Sequence, residues 1–187
     1  MIPIKNKKKS LSVTVEEMRD FSLKYIEKYA PSKQQLKTYL LKKYLKLSTP
    51  NVKKTDIKNL IEIVLSDLEN TKFVNDKFYS QSKAKSLIQR GNSINKIRNY
   101  LIGKGINNKL IKDTLEDIKD ENEDPDFFSA IKVCKKRRIG PSRPEDNRPL
   151  FYTKDLGVLA RKGFDFETSK RVMDLTKDEY QKIISLL

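Results

Sequence analysis

Apolar residues recur along this chain at intervals of three and four. In "DIKNLIEIVLSDLEN" the positions Ile57, Leu60, Ile61, Val64, Leu65 and Leu68 form one stripe, with Lys58, Glu62 and Asp67 away from it. That is the pattern of an amphipathic helix with a single buried face. Further stripes run through Val15, Met18, Ser22, Tyr25, Ile26 and Tyr29, and through Leu36, Leu40, Tyr44 and Leu47. Ile94, Ile97 and Leu101 make another, and Ile111, Thr114, Leu115 and Ile118 the next. No stretch alternates convincingly with period two, so the pattern predicts an all-α protein.

Punctuation between the stripes agrees. Thr14-x-x-Glu17, Ser32-x-x-Gln35 and Thr176-x-x-Glu179 match the capping box, in which a hydroxyl and a carboxylate or amide satisfy orphan backbone NH groups. Asp124 precedes Pro125, a residue suited to the first helical position. Gly105 and Gly163 fit the left-handed position that ends a helix, and Asn107 and Asp165 then serve as N-caps of the following helices. In "LIGKGINNKLIKDTL" (101–115) and "LARKGFDFETSKRVM" (159–173) this Lys-Gly unit occurs twice in the same register. Taken singly, each copy is an ordinary helix stop, with Lys complementing the helix dipole.

The pairing extends backwards. "DKFYSQSKAKSLIQRG" (76–91) aligns without a gap on "PDFFSAIKVCKKRRIG" (125–140), so that Phe78-Tyr79-Ser80 meets Phe127-Phe128-Ser129 and Gly91 meets Gly140. The glycine-to-Lys-Gly spacing is longer in the second of these copies, which implies an insertion where Pro141, Pro144 and Pro149 mark a loop. A degenerate earlier copy places Leu40-x-x-Lys43-Tyr44 where Leu101-x-x-Lys104-Gly105 stands, with its connection lengthened by "LKLSTPNVKKTD". The expectation is an elongated tandem array of three-helix repeats: a basic tail over 1–13, repeats over 14–70, 71–121 and 122–175 with the Pro-rich insertion near 141–149, and a C-terminal helix over 176–187. Helices this short are marginal alone and must pack within and between such units.

Charge then narrows the function. The chain carries 40 Lys+Arg against 25 Asp+Glu, a net charge of +15, which implies an anionic partner. By count the excess lies early: residues 1–70 hold 15 Lys+Arg against 8 Asp+Glu, residues 71–120 hold 11 against 5, and residues 121–187 hold 14 against 12. Lysines solvated on helix surfaces explain part of this without any partner. Histidine is absent and Cys134 is the single cysteine, which removes His-based nucleophile pairs, zinc sites and an internal disulfide. No apolar run suits a signal peptide or a membrane span, so a cytoplasmic protein without a membrane partner is expected. A monomer is also expected. Gly103-Lys104-Gly105 lacks the spacing of a phosphate-binding P-loop.

The segment Asn75–Leu115 resembles the central repeat of the RecX family of bacterial recombination regulators. Its basis is an aromatic after an acidic position, a basic helix, a glycine, and a helix ending Leu-x-x-Lys-Gly. "KKRRIGPSRP" with "DLGVLARKGFDFETSKRVMDL" is similar to that family's third repeat, in the form with an extra Pro-rich segment. The likeness covers roughly Val15 to Leu175. Departures are Asn75 for the first acid of a pair, Tyr44 for a glycine, and Ser169 in a slot usually apolar. The resemblance implies a non-enzymatic protein with no cofactor and no catalytic or metal-binding residue. Such a protein binds the RecA recombinase filament and inhibits its growth, ATP hydrolysis and strand exchange, and thereby modulates recombination, DNA repair and the SOS response.

Candidate partner-binding residues are the basic positions of the second and third repeats. They are Lys83, Lys85, Arg90, Lys96, Arg98 and Lys104, then Lys135, Lys136, Arg137, Arg138, Arg161 and Lys162, with "KKRR" the densest cluster. Tyr79 and Phe128 read as core rather than as base-stacking rings. Asp76, Asp124 and Asp126 read as helix-dipole partners rather than a metal site. The alternative function is a basic helical module that binds single- or double-stranded DNA, or RNA, directly. No single helix gathers the Arg, Asn and Gln that would read base edges.

Overall fold

The computed structural model describes residues 12–47, 52–121 and 123–186. The expected basic tail therefore lies outside the described residues as far as residue 11. So do most of the lengthened connection after Leu47, the side chain of Leu47, and Leu187. Among the described residues the structure is helical throughout, with ten α-helices, two 3-10 turns and no strand. The chain divides into two units, one ending at Tyr79 and the other starting at Ser80.

The first unit holds α1 (Val15–Tyr29), α2 (Lys33–Leu47), α3 (Lys54–Asn70) and the first turn of α4 (Asp76–Gln89). Its core joins the expected stripes: Met18 from α1, Leu36, Leu40 and Tyr44 from α2, and Ile57, Ile61, Val64, Leu65 and Leu68 from α3. Tyr29, placed on the α1 stripe by its spacing, is instead 55% exposed, because α1 ends there and Ala30 turns left-handed before Pro31. Tyr44 keeps its expected place on the α2 stripe. Although it aligns with Gly105 it ends no helix: α2 runs on past it to Leu47, and its ring is buried against Phe21.

The second unit holds the rest of α4, then α5 (Ile94–Gly103), α6 (Asn108–Glu121), α7 (Pro125–Arg137), α8 (Arg148–Arg161), α9 (Phe166–Met173) and α10 (Lys177–Ser185). Ser80 and Thr114, both buried, share a hydrogen bond of 3.0 Å between α4 and α6. A core of Ala130, Ile131, Cys134, Leu159, Phe164, Val172 and Tyr180 joins α7 to α10.

The expected caps form. Asn107 accepts from the Leu110 NH at 2.8 Å, Asp124 from Phe127 at 3.0 Å and Asp165 from Thr168 at 2.6 Å. Thr176 and Glu179 close a full capping box, and Ser32 and Gln35 exchange bonds of 3.2 Å. Thr14 accepts from the Glu17 NH at 3.3 Å, while the Glu17 carboxylate takes the Ser12 hydroxyl.

The Pro-rich insertion is more ordered than a bare loop. It makes 3-10 turns at Gly140–Ser142 and Glu145–Asn147 and enters α8 at Arg148, with Pro149 in the first turn. Asp155, 1% exposed on α8, accepts from Arg143 Nε at 2.6 Å, Arg143 Nη2 at 2.9 Å and the Gly140 NH at 2.9 Å. Burial pushes that carboxyl up, but these donors, with the charges of Arg143 and Lys154, outweigh it and hold it below the usual range. Arg148 donates to the carbonyls of Leu175 and Pro141, tying the insertion to the α9–α10 turn.

Candidate functional site

Positive charge is heaviest by count before residue 121, but the structure concentrates it where the second Lys-Gly unit meets α5. Ser93 caps α5 by accepting from the Lys96 NH at 3.1 Å. Its own NH donates to the Lys162 carbonyl at 3.3 Å, and Lys96 Nζ donates to the Arg161 carbonyl at 2.7 Å. Gly163 makes the approach possible. Its φ is +90°, and a Cβ there would stand 2.5 Å from Ser93 Oγ and 3.0 Å from Lys96 Cβ. The glycine is thus both a helix stop and the seat on which the start of α5 rests.

Lys162 is left half-buried in this corner. Burial pushes its ammonium below the ordinary lysine range, and the charges of Arg137, Lys96 and Lys136 push it the same way. Four cations from α5, α7 and the end of α8 therefore share one positive field.

The run Lys135–Arg138 is not one patch. Lys136 and Arg137 act on Lys162. Lys135, in the last turn of α7, and Arg138, the left-handed residue that caps it, line a separate groove of about 520 Å³. Lys177, Tyr180, Gln181 and Ile184 of α10 form its other wall, and Pro141, Ser142, Arg143 and Pro144 of the insertion complete it. Sequence reasoning missed the α10 residues. Their spacing of three, four and seven on one face was the available signal.

The remaining candidates are dispersed. Lys85 pairs with Glu121 at 3.2 Å, with both side chains exposed. Lys104 Nζ lies 5.2 Å from the centre of the Tyr100 ring. Lys83 is half-buried, and Arg90, Arg98 and Arg161 are exposed. Tyr79 is 6% exposed, and Phe128 is half-buried in edge contact with Phe127.

The acids at the helix starts have defined work. Asp76 accepts from the first NH of α2, at Lys33, over 2.8 Å. Asp126 accepts from the first NH of α5, at Ile94, over 2.7 Å. Asp124 caps α7 and pairs with Arg171 at 2.5 Å. Among the described residues no group of three His, Cys, Asp or Glu is placed to hold a metal ion. Burial, reinforced by the Asp155 charge, raises the Cys134 thiol to about 12, so it stays protonated and unreactive. No helix of the described residues is long and apolar enough to cross a membrane. What the arrangement offers is two cationic surfaces suited to anions.

No protein-family model matches the chain. It is 29% identical over 173 residues to the regulatory protein RecX of Myxococcus xanthus, spanning 89% of each chain. It is 32% identical over 127 residues to the regulatory protein RecX of Clostridioides difficile, covering 65% of this chain and 57% of that one. The crystal structure of RecX from Lactobacillus salivarius shares the fold, with a TM-score of 0.62 at 15% identity over 92% of this chain and 97% of that one. Another, of a regulatory protein RecX, gives 0.57 at 21% identity over 86% and 74%. These likenesses place the chain in the class of all-helical proteins with the fold of the RecX crystal structures. The chain is thus similar to proteins named regulatory protein RecX along most of its length, and it shares their fold.

Proposed function

We propose that the protein acts by binding and not by chemistry: it engages the nucleoprotein filament of the RecA recombinase and restrains filament growth, ATP hydrolysis and strand exchange. The likeness to proteins named regulatory protein RecX supports the partner. The observation that carries the binding mode is the crowding of Lys96, Lys136 and Arg137 on Lys162. Such a field works against folding and favours an anionic partner, which relieves the repulsion on contact. We further infer that the helices group as three-helix repeats over 14–70, 71–121 and 122–175. The equivalent bonds of Asp76 and Asp126, and the positive φ of Gly91, Gly140, Gly105 and Gly163, support this grouping. The protein works as a monomer in the cytoplasm, with weak contacts spread along the repeats.

The test is the DNA-dependent ATPase and filament length of the cognate RecA with increasing protein. Inhibition by the wild type, weakened about tenfold in Lys136→Glu/Arg137→Glu with helicity unchanged, is the expected result. An unaltered ATPase alongside tight binding to naked DNA would replace this reading with direct nucleic-acid binding.

A further inference from the structure

The groove between the end of α7, the Pro-rich insertion and α10 is chemically unlike the Lys162 corner. Its rim is cationic through Lys135, Arg138 and Lys177, all exposed, and no carboxylate lines it. Its floor is apolar: Pro141 and Tyr180 are buried and Ile184 half-buried. Arg143 also lines it but is committed to Asp155 by two hydrogen bonds. The Tyr180 and Ser142 hydroxyls bond each other, so the floor keeps its polar atoms occupied.

We propose that this groove binds an acidic peptide segment of a protein partner, with an apolar side chain set on the floor and carboxylates on either side of it reaching the rim. Three observations favour that occupant. The exposed rim cations complement carboxylates by charge and can donate charge-assisted hydrogen bonds to them. The floor gains from covering by an apolar side chain, which a sugar-phosphate backbone does not supply. A nucleic-acid strand also needs an open aromatic face for its bases, and Tyr180 is only 7% exposed. At about 520 Å³ the groove has the size of a site for a few side chains. Gln181 on the same wall offers an amide to the peptide backbone. The site is independent of the reading that the Lys162 corner faces a RecA filament.

Fluorescence anisotropy on the full chain tests this with three labelled probes. One is a short peptide in which Glu and Asp alternate with Leu and Phe. The second is its Gln and Asn counterpart, and the third is an oligothymidylate. The two protein variants are Lys135→Glu/Lys177→Glu, on the groove rim, and Lys136→Glu/Arg137→Glu, outside the groove. Both change the net charge equally, and every substituted side chain is exposed. The acidic peptide should bind better than its amide counterpart. The rim variant should weaken that binding about tenfold and the control variant, which acts only through the shared potential of the α7 end, clearly less. Equal weakening by both variants would reduce the effect to overall charge and overturn the site. So would equal binding of the acidic and amide peptides, or an oligothymidylate that binds more tightly and loses its affinity in the rim variant. That last result would make the groove a phosphate site.

Discussion

The backbone NH of Ile94 donates to the carboxylate of Asp126 at 2.7 Å, so a residue in the first turn of α7 caps α5. Burial pushes the Asp126 carboxyl above its ordinary range. The Ile94 NH opposes that shift, and the charges of Asp165 and Asp124 reinforce it. The folded pKa lies above the unfolded one, so the group's contribution is greatest at low pH and falls as pH rises through the folded value. Asp126→Asn keeps an acceptor and loses this pH dependence, whereas Asp126→Ala loses the cap and costs about 1 kcal/mol. Urea midpoints of the three proteins across the acid range check both points. Equal loss in Asn and Ala would refute the capping role.

Asp155 has the opposite sign. Its folded pKa is held below the unfolded one, so its stabilisation is present above the unfolded value and disappears as pH falls through the folded value. Asp155→Asn leaves Arg143 without its charge partner and should cost about 3 kcal/mol at neutral pH. The variant should also be less sensitive to acid than the wild type. Denaturant midpoints from neutral to acid pH, compared as slopes, would expose a failure of either part.

Two glycines should respond in opposite directions. Gly163→Ala forces a Cβ onto φ +90° and into Ser93 and Lys96, and should cost about 2 kcal/mol. Gly103 is helical and nothing lies within 4 Å of its added Cβ, so Gly103→Ala should stabilise by about 0.5 kcal/mol. Thermal melting of both variants decides the matter.

Ser169 on α9 is buried, and its hydroxyl has no hydrogen-bond partner among the described residues. Ser169→Ala removes an unpaired polar atom and leaves only a small void, so it should raise stability by about 1 kcal/mol. A lowered denaturation midpoint would mean that the hydroxyl is satisfied.

Helix starts and the three stripes of the first core are legible in the sequence because both depend on neighbours within one or two turns. Thr176 with Glu179 and the spacing from Ile57 to Leu68 need no tertiary information. Tyr44 is legible from its stripe with Leu36 and Leu40, although a match of Leu-x-x-Lys sets it against a glycine; its contact with Phe21 is the tertiary part that the sequence does not show. The insertion reads as a loop from its prolines, yet its order comes from Asp155, a charged residue that shares the buried face of α8 with Leu159. The run Lys135–Arg138 is the plainest case. Four adjacent basic residues look like one feature in sequence, and the last turn of α7 with the left-handed Arg138 after it sends them to two surfaces.

That division links the two surfaces electrically. Consecutive Cα atoms are about 3.8 Å apart, so these side chains are rooted well inside the Debye length of about 8 Å at physiological ionic strength. An anion settled against Lys136 and Arg137 therefore lowers the attraction that Lys135 and Arg138 exert on a second one, and the penalty is reciprocal. The end of α7 behaves as a shared reservoir of potential: two acidic ligands compete for it without touching, and added salt lets them bind independently.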